Sequence, residues 1–241
     1  MTLLRSLIFM VWMYGLMVLM GLAGLWLLLF PRRWAKAYFR LYLALVFGGL
    51  RLICGLRYKV EGLEHMPEGG ALIASKHQSM FETLAFWQIL DDPAIILKKE
   101  LSWLPFFGWF AVKLGNIVVD RGAAAKALRK MLADARKWAA QGRQILIFPE
   151  GTRVRPGETT DFKPGVAGLY SVMKVPCVPV ALDSGFFWQG RGVLRRSGCI
   201  TVQFLPPIGP GIPRDEFMSL LESRINAASA ELAARHEIAA P

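Results

Sequence analysis

The stretch from Leu7 to Phe30, 24 consecutive residues without a charge, constrains this chain more than any other feature. Wound as a helix at ~1.5 Å per residue it would reach ~36 Å, enough for a ~30 Å hydrocarbon core. A cleaved signal peptide is the competing reading, but its apolar core is shorter, at ~7–15 residues, and ends at a small-residue cleavage site. Here the run ends in Pro31-Arg32-Arg33, so a retained segment is expected. Only Arg5 and the terminal amine precede it, whereas Arg32, Arg33, Lys36 and Arg40 follow. If the run spans, the positive-inside rule leaves the bulk of the chain on the cytoplasmic side of an inner membrane. In the next stretch, Trp34 to Leu56, the longest uncharged part is Leu41–Leu50, too short to span. Arg33, Arg40 and Arg51 fall within about 20° of one another on a helix. One basic stripe on an apolar helix is the pattern of a helix lying in the interface. Two arrangements stay open: the first run crosses the bilayer, or it pairs with the second as a hairpin in one leaflet.

The formal net charge of +11 suggests a nucleic-acid binder until its distribution is read. Arg5, Arg32, Arg33, Lys36, Arg40, Arg51, Arg57 and Lys59 all lie within residues 1–60, which hold no acidic residue; +3 is left for the rest. Cations beside the most apolar stretch point to anionic lipid head groups, with membrane lipids as partners and no nucleic acid. A hydrophobic content of 54% excludes disorder, and 241 residues can bury a core without a staple. Cys54, Cys177 and Cys199 are too few and too scattered for a disulfide framework or a metal site.

Residues 1–57 therefore read as a membrane-anchoring two-helix segment, and 58–241 as a separate domain. In the latter, short apolar runs read as buried strands: Ala71–Ser75, Ala94–Leu97, Asn116–Val119, Gln144–Phe148, Val178–Leu182 and Ile200–Leu205. Helical patterns lie at Glu82–Leu90, Ala123–Ala140, Val166–Met173 and Arg214–Glu237, the last opened by Pro213. The alternation predicts an α/β layered domain with a mostly buried central sheet flanked by helices. The basic residues of Ala123–Ala140 read as a solvated helix face. The aromatic segment Leu101–Phe110 reads equally as core or as a second membrane contact.

Three loops after strands carry chemistry. In Lys76-His77-Gln78-Ser79-Met80-Phe81-Glu82, a histidine beyond a strand end has a carboxylate five residues on. A carboxylate that fixes the ring tautomer leaves the other nitrogen free to take a proton. The same Ser79-x-x-Glu82 spacing is also a helix capping box, and both readings stay open. Phe148-Pro149-Glu150-Gly151-Thr152-Arg153 follows another strand, where α/β folds place ligands. Its Gly permits close backbone approach and its Arg offers a fork for phosphate or carboxylate. Gly115-Asn116-Ile117-Val118-Val119-Asp120-Arg121 again sets an Arg after a strand, and Lys98 and Lys163 are further candidate cations.

Taken in order, these segments with Val175-Pro-Cys-Val-Pro-Val-Ala-Leu182 resemble the four blocks of the glycerolipid acyltransferases. The likeness is greatest to the bacterial 1-acyl-sn-glycerol-3-phosphate acyltransferases, over about residues 70–182. The resemblance implies acyl transfer from acyl-CoA or acyl-carrier protein, as co-substrate, to the hydroxyl of lysophosphatidic acid. It implies His77 as general base with Glu82 holding its ring, and no bound cofactor or metal. Arg121 and Arg153, with Lys98, would bind the acceptor's phosphate, while Glu150, Gly151 and Thr152 shape its site. The Lys163-Pro164-Gly165 turn would position that loop. The family's first block usually ends in Asp, where this chain has Glu82.

Overall fold

A computed structural model describes residues 1–120, 122, 124–190 and 192–238. Two apolar helices open the chain, α1 (Thr2–Ala23) and α2 (Arg32–Gly49), joined through a 3-10 turn at Leu25–Leu28. The uncharged run is thus not one helix. A Cβ at Gly24 would lie 2.5 Å from the Tyr38 ring, and the Tyr38 hydroxyl donates to the Met20 carbonyl at 2.9 Å. The Met20 carbonyl already accepts the Gly24 N–H at 2.9 Å, so Tyr38 adds a second donor at the end of α1, where the chain doubles back.

After a last π-type turn at Leu50–Cys54 and left-handed Gly55 (φ 68°), strand β1 (Leu56–Glu61) begins. The remaining order is β2 (Ala71–Ser75), α3 (Phe81–Ile89), β3 (Pro93–Lys98), α4 (Phe107–Lys113), β4 (Ile117–Val119), α5 (Ala124–Ala139) and β5 (Gln144–Ile147). Then come α6 (Gly165–Met173), β6 (Cys177–Leu182), α7 (Ser184–Phe187), β7 (Gly198–Phe204) and α8 (Arg214–Ile238). Among the described residues the strands form a seven-stranded sheet, ordered β1-β7-β6-β2-β5-β3-β4. Neighbours run parallel except at β6–β7.

The α/β architecture agrees with the patterning: β2 and β6 are buried throughout, as strands covered on both faces must be. β1 was not expected as a strand. Its Leu-Arg-Tyr-Lys-Val-Glu lacks an apolar run because it lies at the sheet edge, beside β7 alone. The boundary drawn after residue 57 falls inside this strand.

One face of the sheet carries α3, α4 and the α1–α2 hairpin, so that Phe9, Met13, Leu43 and Val46 share a core with Phe86, Trp188 and Phe204. The other carries α5, α6 and α8, with Leu169 of α6 and Phe217 of α8 in one core with Leu72 and Ile145 of the sheet. The expected basic stripe is only partly turned to solvent. Arg33 and Arg51 are exposed, but Arg40 faces inward. Arg40 donates to the carbonyls of Trp87 (3.2 Å), Leu90 (2.6 Å) and Asp91 (3.0 Å), satisfying the carboxyl end of α3. Arg32 grips Asp92 with both terminal nitrogens, at 2.9 and 2.6 Å. The hairpin is fastened lengthwise to the sheet domain.

Candidate active site

β6, β2 and β5 are adjacent and parallel, so their carboxyl ends meet at one edge. That register brings together residues far apart in sequence: 76–82 after β2, 148–154 after β5 and 183–190 after β6.

At the centre, His77 Nδ1 lies 2.8 Å from Glu82 Oε1. The same oxygen accepts the backbone N–H groups of Gln78 and Ser79, both at 2.7 Å. Glu82 Oε2 accepts the hydroxyls of Ser79 (2.8 Å) and Ser184 (2.9 Å). The Ser79 hydroxyl oxygen in turn accepts the Phe81 N–H at 3.0 Å, opening α3. The two sequence readings of Glu82 therefore hold together, because one carboxylate both caps the turn and holds the imidazole.

Glu82 is completely buried, which works to raise its pKa. The hydrogen bond and charge of His77 and the Ser79 donors outweigh burial, and the carboxyl is held below the usual carboxylate range. With Nδ1 on the anion, Nε2 is the ring nitrogen available to a substrate proton. Phe148 stacks on the imidazole, centroids 4.1 Å apart and planes at 18°, fixing its plane.

The Phe148–Arg153 loop is tied to His77 by its backbone. The Val154 N–H donates to the His77 carbonyl at 2.8 Å, and the His77 N–H to Glu150 Oε2, also at 2.8 Å. Glu150 is thus turned inward. Its other oxygen lies 2.7 Å from Lys76 Nζ, an ion pair with side-chain exposures of 0% and 2%. Burial pushes the Glu150 carboxyl up, and Lys76 opposes the shift. Gly151 turns at φ 70°, where a side chain is strained. The Lys163 N–H donates to the Pro149 carbonyl at 2.8 Å, as the expected supporting turn requires.

Thr152 and Arg153 are exposed, and Arg153 Nη1 donates to the Gly190 carbonyl at 3.0 Å. Gly190 itself lies against the Gln78 carbonyl, so Arg153 stands beside the histidine loop. Lys98 ends β3 at the same sheet edge but two strands away from β2. It is half-exposed and 3.7 Å from Glu100, and among the described residues no hydrogen bond or ion pair joins it to the His77 group. Arg121 lies outside the described residues.

Sequence reasoning missed Lys76 and Ser184. Lys76 adjoins His77, and a lysine directly after an apolar strand was a signal that could have been read. Ser184 had none, since its partner is 102 positions away.

A family model described as Acyltransferase matches residues 57–183. The 1-acyl-sn-glycerol-3-phosphate acyltransferase of Pseudomonas aeruginosa is 36% identical over 156 residues, 65% of this chain and 61% of the relative. That of Salmonella typhimurium is 29% identical over 167 residues, 68% of this chain and 67% of the relative. The chain spans about 60% of the length of the first relatives it matches, 61% and 59%. The crystal structure of the 1-acyl-sn-glycerophosphate (LPA) acyltransferase PlsC from Thermotoga maritima has the same fold. Its TM-score is 0.80 at 21% identity, covering 97% of this chain and 98% of that one.

Proposed function

This chain belongs to the acyltransferase family, and from that premise we propose that it makes phosphatidic acid. A fatty acyl group passes from an acyl thioester, acyl-CoA or acyl-carrier protein, to the sn-2 hydroxyl of 1-acyl-glycerol-3-phosphate. The observation that carries this reading is the His77–Glu82 pair at the carboxyl edge of the sheet, with Arg153 beside it.

In this reading His77 Nε2 takes the hydroxyl proton as the oxygen attacks the thioester carbonyl. Glu82 stabilises the imidazolium so formed. The C–S bond breaks, the ester C–O bond remains, and the proton passes to the leaving thiolate. No acyl-enzyme and no bound metal or cofactor is needed. Arg153, with Arg121 and Lys98, meets the acceptor's phosphate as planar fork and point charges. The hairpin, packed along the sheet rather than standing off it, supports anchoring in one leaflet; we assign it to the cytoplasmic leaflet of the inner membrane, where its basic residues would meet anionic head groups.

The test is an assay of purified protein in detergent with acyl-CoA or acyl-carrier protein and a panel of lyso-acceptors, scored for thiol release and product lipid. Phosphorylated acceptor should be preferred. Arg153→Ala should raise its KM about 10–150-fold, the worth of a charge-assisted hydrogen bond of ~1.5–3 kcal/mol. Equal losses on phosphorylated and phosphate-free acceptors would remove Arg153 from phosphate recognition. Absence of transfer to any lyso-acceptor would overturn the reading.

A further inference from the structure

The aromatic segment after β3 has one face too apolar for water. Phe110 and Ala111 are buried, but Trp103 is 66% exposed, Leu104 47%, Trp109 43% and Val112 55%. Large exposed apolar patches mark a contact surface.

The backbone sets these side chains outward on purpose. Phe106 sits at φ 61° and ψ −63°, and the Phe107 N–H reaches the Pro105 carbonyl at 2.7 Å. This is a γ-turn of the rare, strained sense. The turn sends the Phe106 ring to the hairpin, where it fills the notch left by Gly21; a Cβ there would be 2.4 Å from the ring. Lys113 Nζ adds a hydrogen bond to the Leu28 carbonyl at 2.8 Å. Trp103, Leu104 and Trp109 are left on the outside, continuous through this joint with the exposed flank of α1.

Position and charge say what covers the face. β3 ends at Lys98, at the carboxyl edge that also holds His77. Lys99 Nζ lies 5.6 Å from the Trp103 ring centroid and 2.8 Å from Asp120 Oδ2. Tryptophan with lysine at the rim of an apolar face is the composition of a membrane interface. We propose that Leu101–Val112 is a second lipid contact, which with the hairpin seats the carboxyl edge of the sheet on the bilayer surface. The hairpin alone, rigid with the sheet, would leave the whole body free to roll about the hairpin's long axis on the bilayer. Two joined contacts fix that roll, so that a lipid could pass to the edge without crossing water.

The experiment uses the full chain with its exposed thiol removed by Cys199→Ser; Cys54 and Cys177 are buried. Single cysteines replacing Trp103, Val112, Val11 on α1, and Ser223 on α8 are each labelled with an environment-sensitive fluorophore. The protein is then reconstituted into vesicles of phosphatidylcholine and phosphatidylglycerol. Labels at 103, 112 and 11 should shift to the blue and be quenched by shallow nitroxide lipids several-fold more than the label at 223. Labels at 103 and 112 that stay in water while the one at 11 is quenched would overturn the proposal. Shielding at 103 that grows with protein concentration and resists nitroxide lipids would also overturn it, assigning the face to a second copy of the chain.

Discussion

Among the described residues the molecule holds two histidine–carboxylate pairs of nearly the same length. His77 Nδ1 lies 2.8 Å from Glu82, and His236 Nε2 lies 2.7 Å from Asp183. Both carboxylates are buried. Their surroundings differ. Glu82 collects two backbone N–H groups and two hydroxyls besides the imidazole, and its pKa is lowered despite burial. Asp183 has the Thr201 N–H at 2.7 Å besides His236, and burial leaves its pKa raised. His236 sits on α8 against Phe186 and Phe187, joining that helix to the end of β6. A histidine beside an acid is therefore no signature of catalysis by itself. What distinguishes a base is the nitrogen left over, a carboxylate held charged, and a cation-bearing loop next to it.

The largest expected effect separates the two pairs outright. His77→Ala should lower kcat by about 10²–10⁴, the usual worth of a general base, while the protein stays folded. Its stability should fall by no more than the ~1–3 kcal/mol that losing a partner of a buried group costs. More than a tenth of the wild-type rate would take His77 out of the mechanism. Next comes the charge on its partner. Glu82→Gln should lose at least ~10² in kcat, by analogy with carboxylate loss in a catalytic triad. It also removes a stabilising anion. Because the folded pKa is depressed, that stability is present above the unfolded value of about 4.3 and is lost as pH falls through the folded one. The gap in unfolding free energy between wild type and Glu82→Gln should therefore close on acidification. A gap constant with pH would mean that the anion does not stabilise the fold.

Ser184→Ala tests whether the donors around Glu82 matter singly. A hydrogen bond to a charged group is worth about 1.5–3 kcal/mol, but four donors to Glu82 remain. We expect kcat to fall about tenfold with both KM values unchanged, each 1.4 kcal/mol being a factor of ten. Restoration by Ser184→Thr would identify the hydroxyl as what orients the carboxylate. A loss confined to thermal stability would make Ser184 a packing residue only.

How far each pair could be read from sequence follows from where its members lie. His77 and Glu82 are five residues apart, joined by one loop and one helical turn, so spacing alone suggested contact. Phe148–Arg153 was legible because a loop after a buried strand has a defined place in an α/β sheet. Ser184 reaches Glu82, and Lys76 reaches Glu150, only because β6, β2 and β5 are neighbours, and strand order is not written in local patterning. The buried strands were plain from apolar runs, whereas edge strand β1 was hidden by its charges. The break at Gly24 depends on Tyr38, and so on a fold already formed.

The smallest effect on activity is expected at the second pair, which gives the comparison its sharpest test. His236→Ala should leave kcat within about twofold, since nothing places His236 near the reacting atoms, although Asp183 directly precedes Ser184. Its effect should appear in stability. Removing one partner of a buried polar pair costs about 1–3 kcal/mol, because the other keeps its desolvation penalty. The pH dependence follows from the sign of the Asp183 shift. A raised folded pKa contributes stability that is fully present below the unfolded value, about 3.9, and is lost as pH rises through the folded one. Without His236 only backbone N–H groups, those of Thr201 and of Asp183 itself, offset the buried charge, so that loss deepens. The variant should melt close to wild type near pH 4 and fall progressively behind as the pH is raised toward neutrality. Urea unfolding across that range reads it directly. If kcat falls in step with stability at every pH, the two pairs act as one unit through the Asp183–Ser184 step, and the division drawn between them fails.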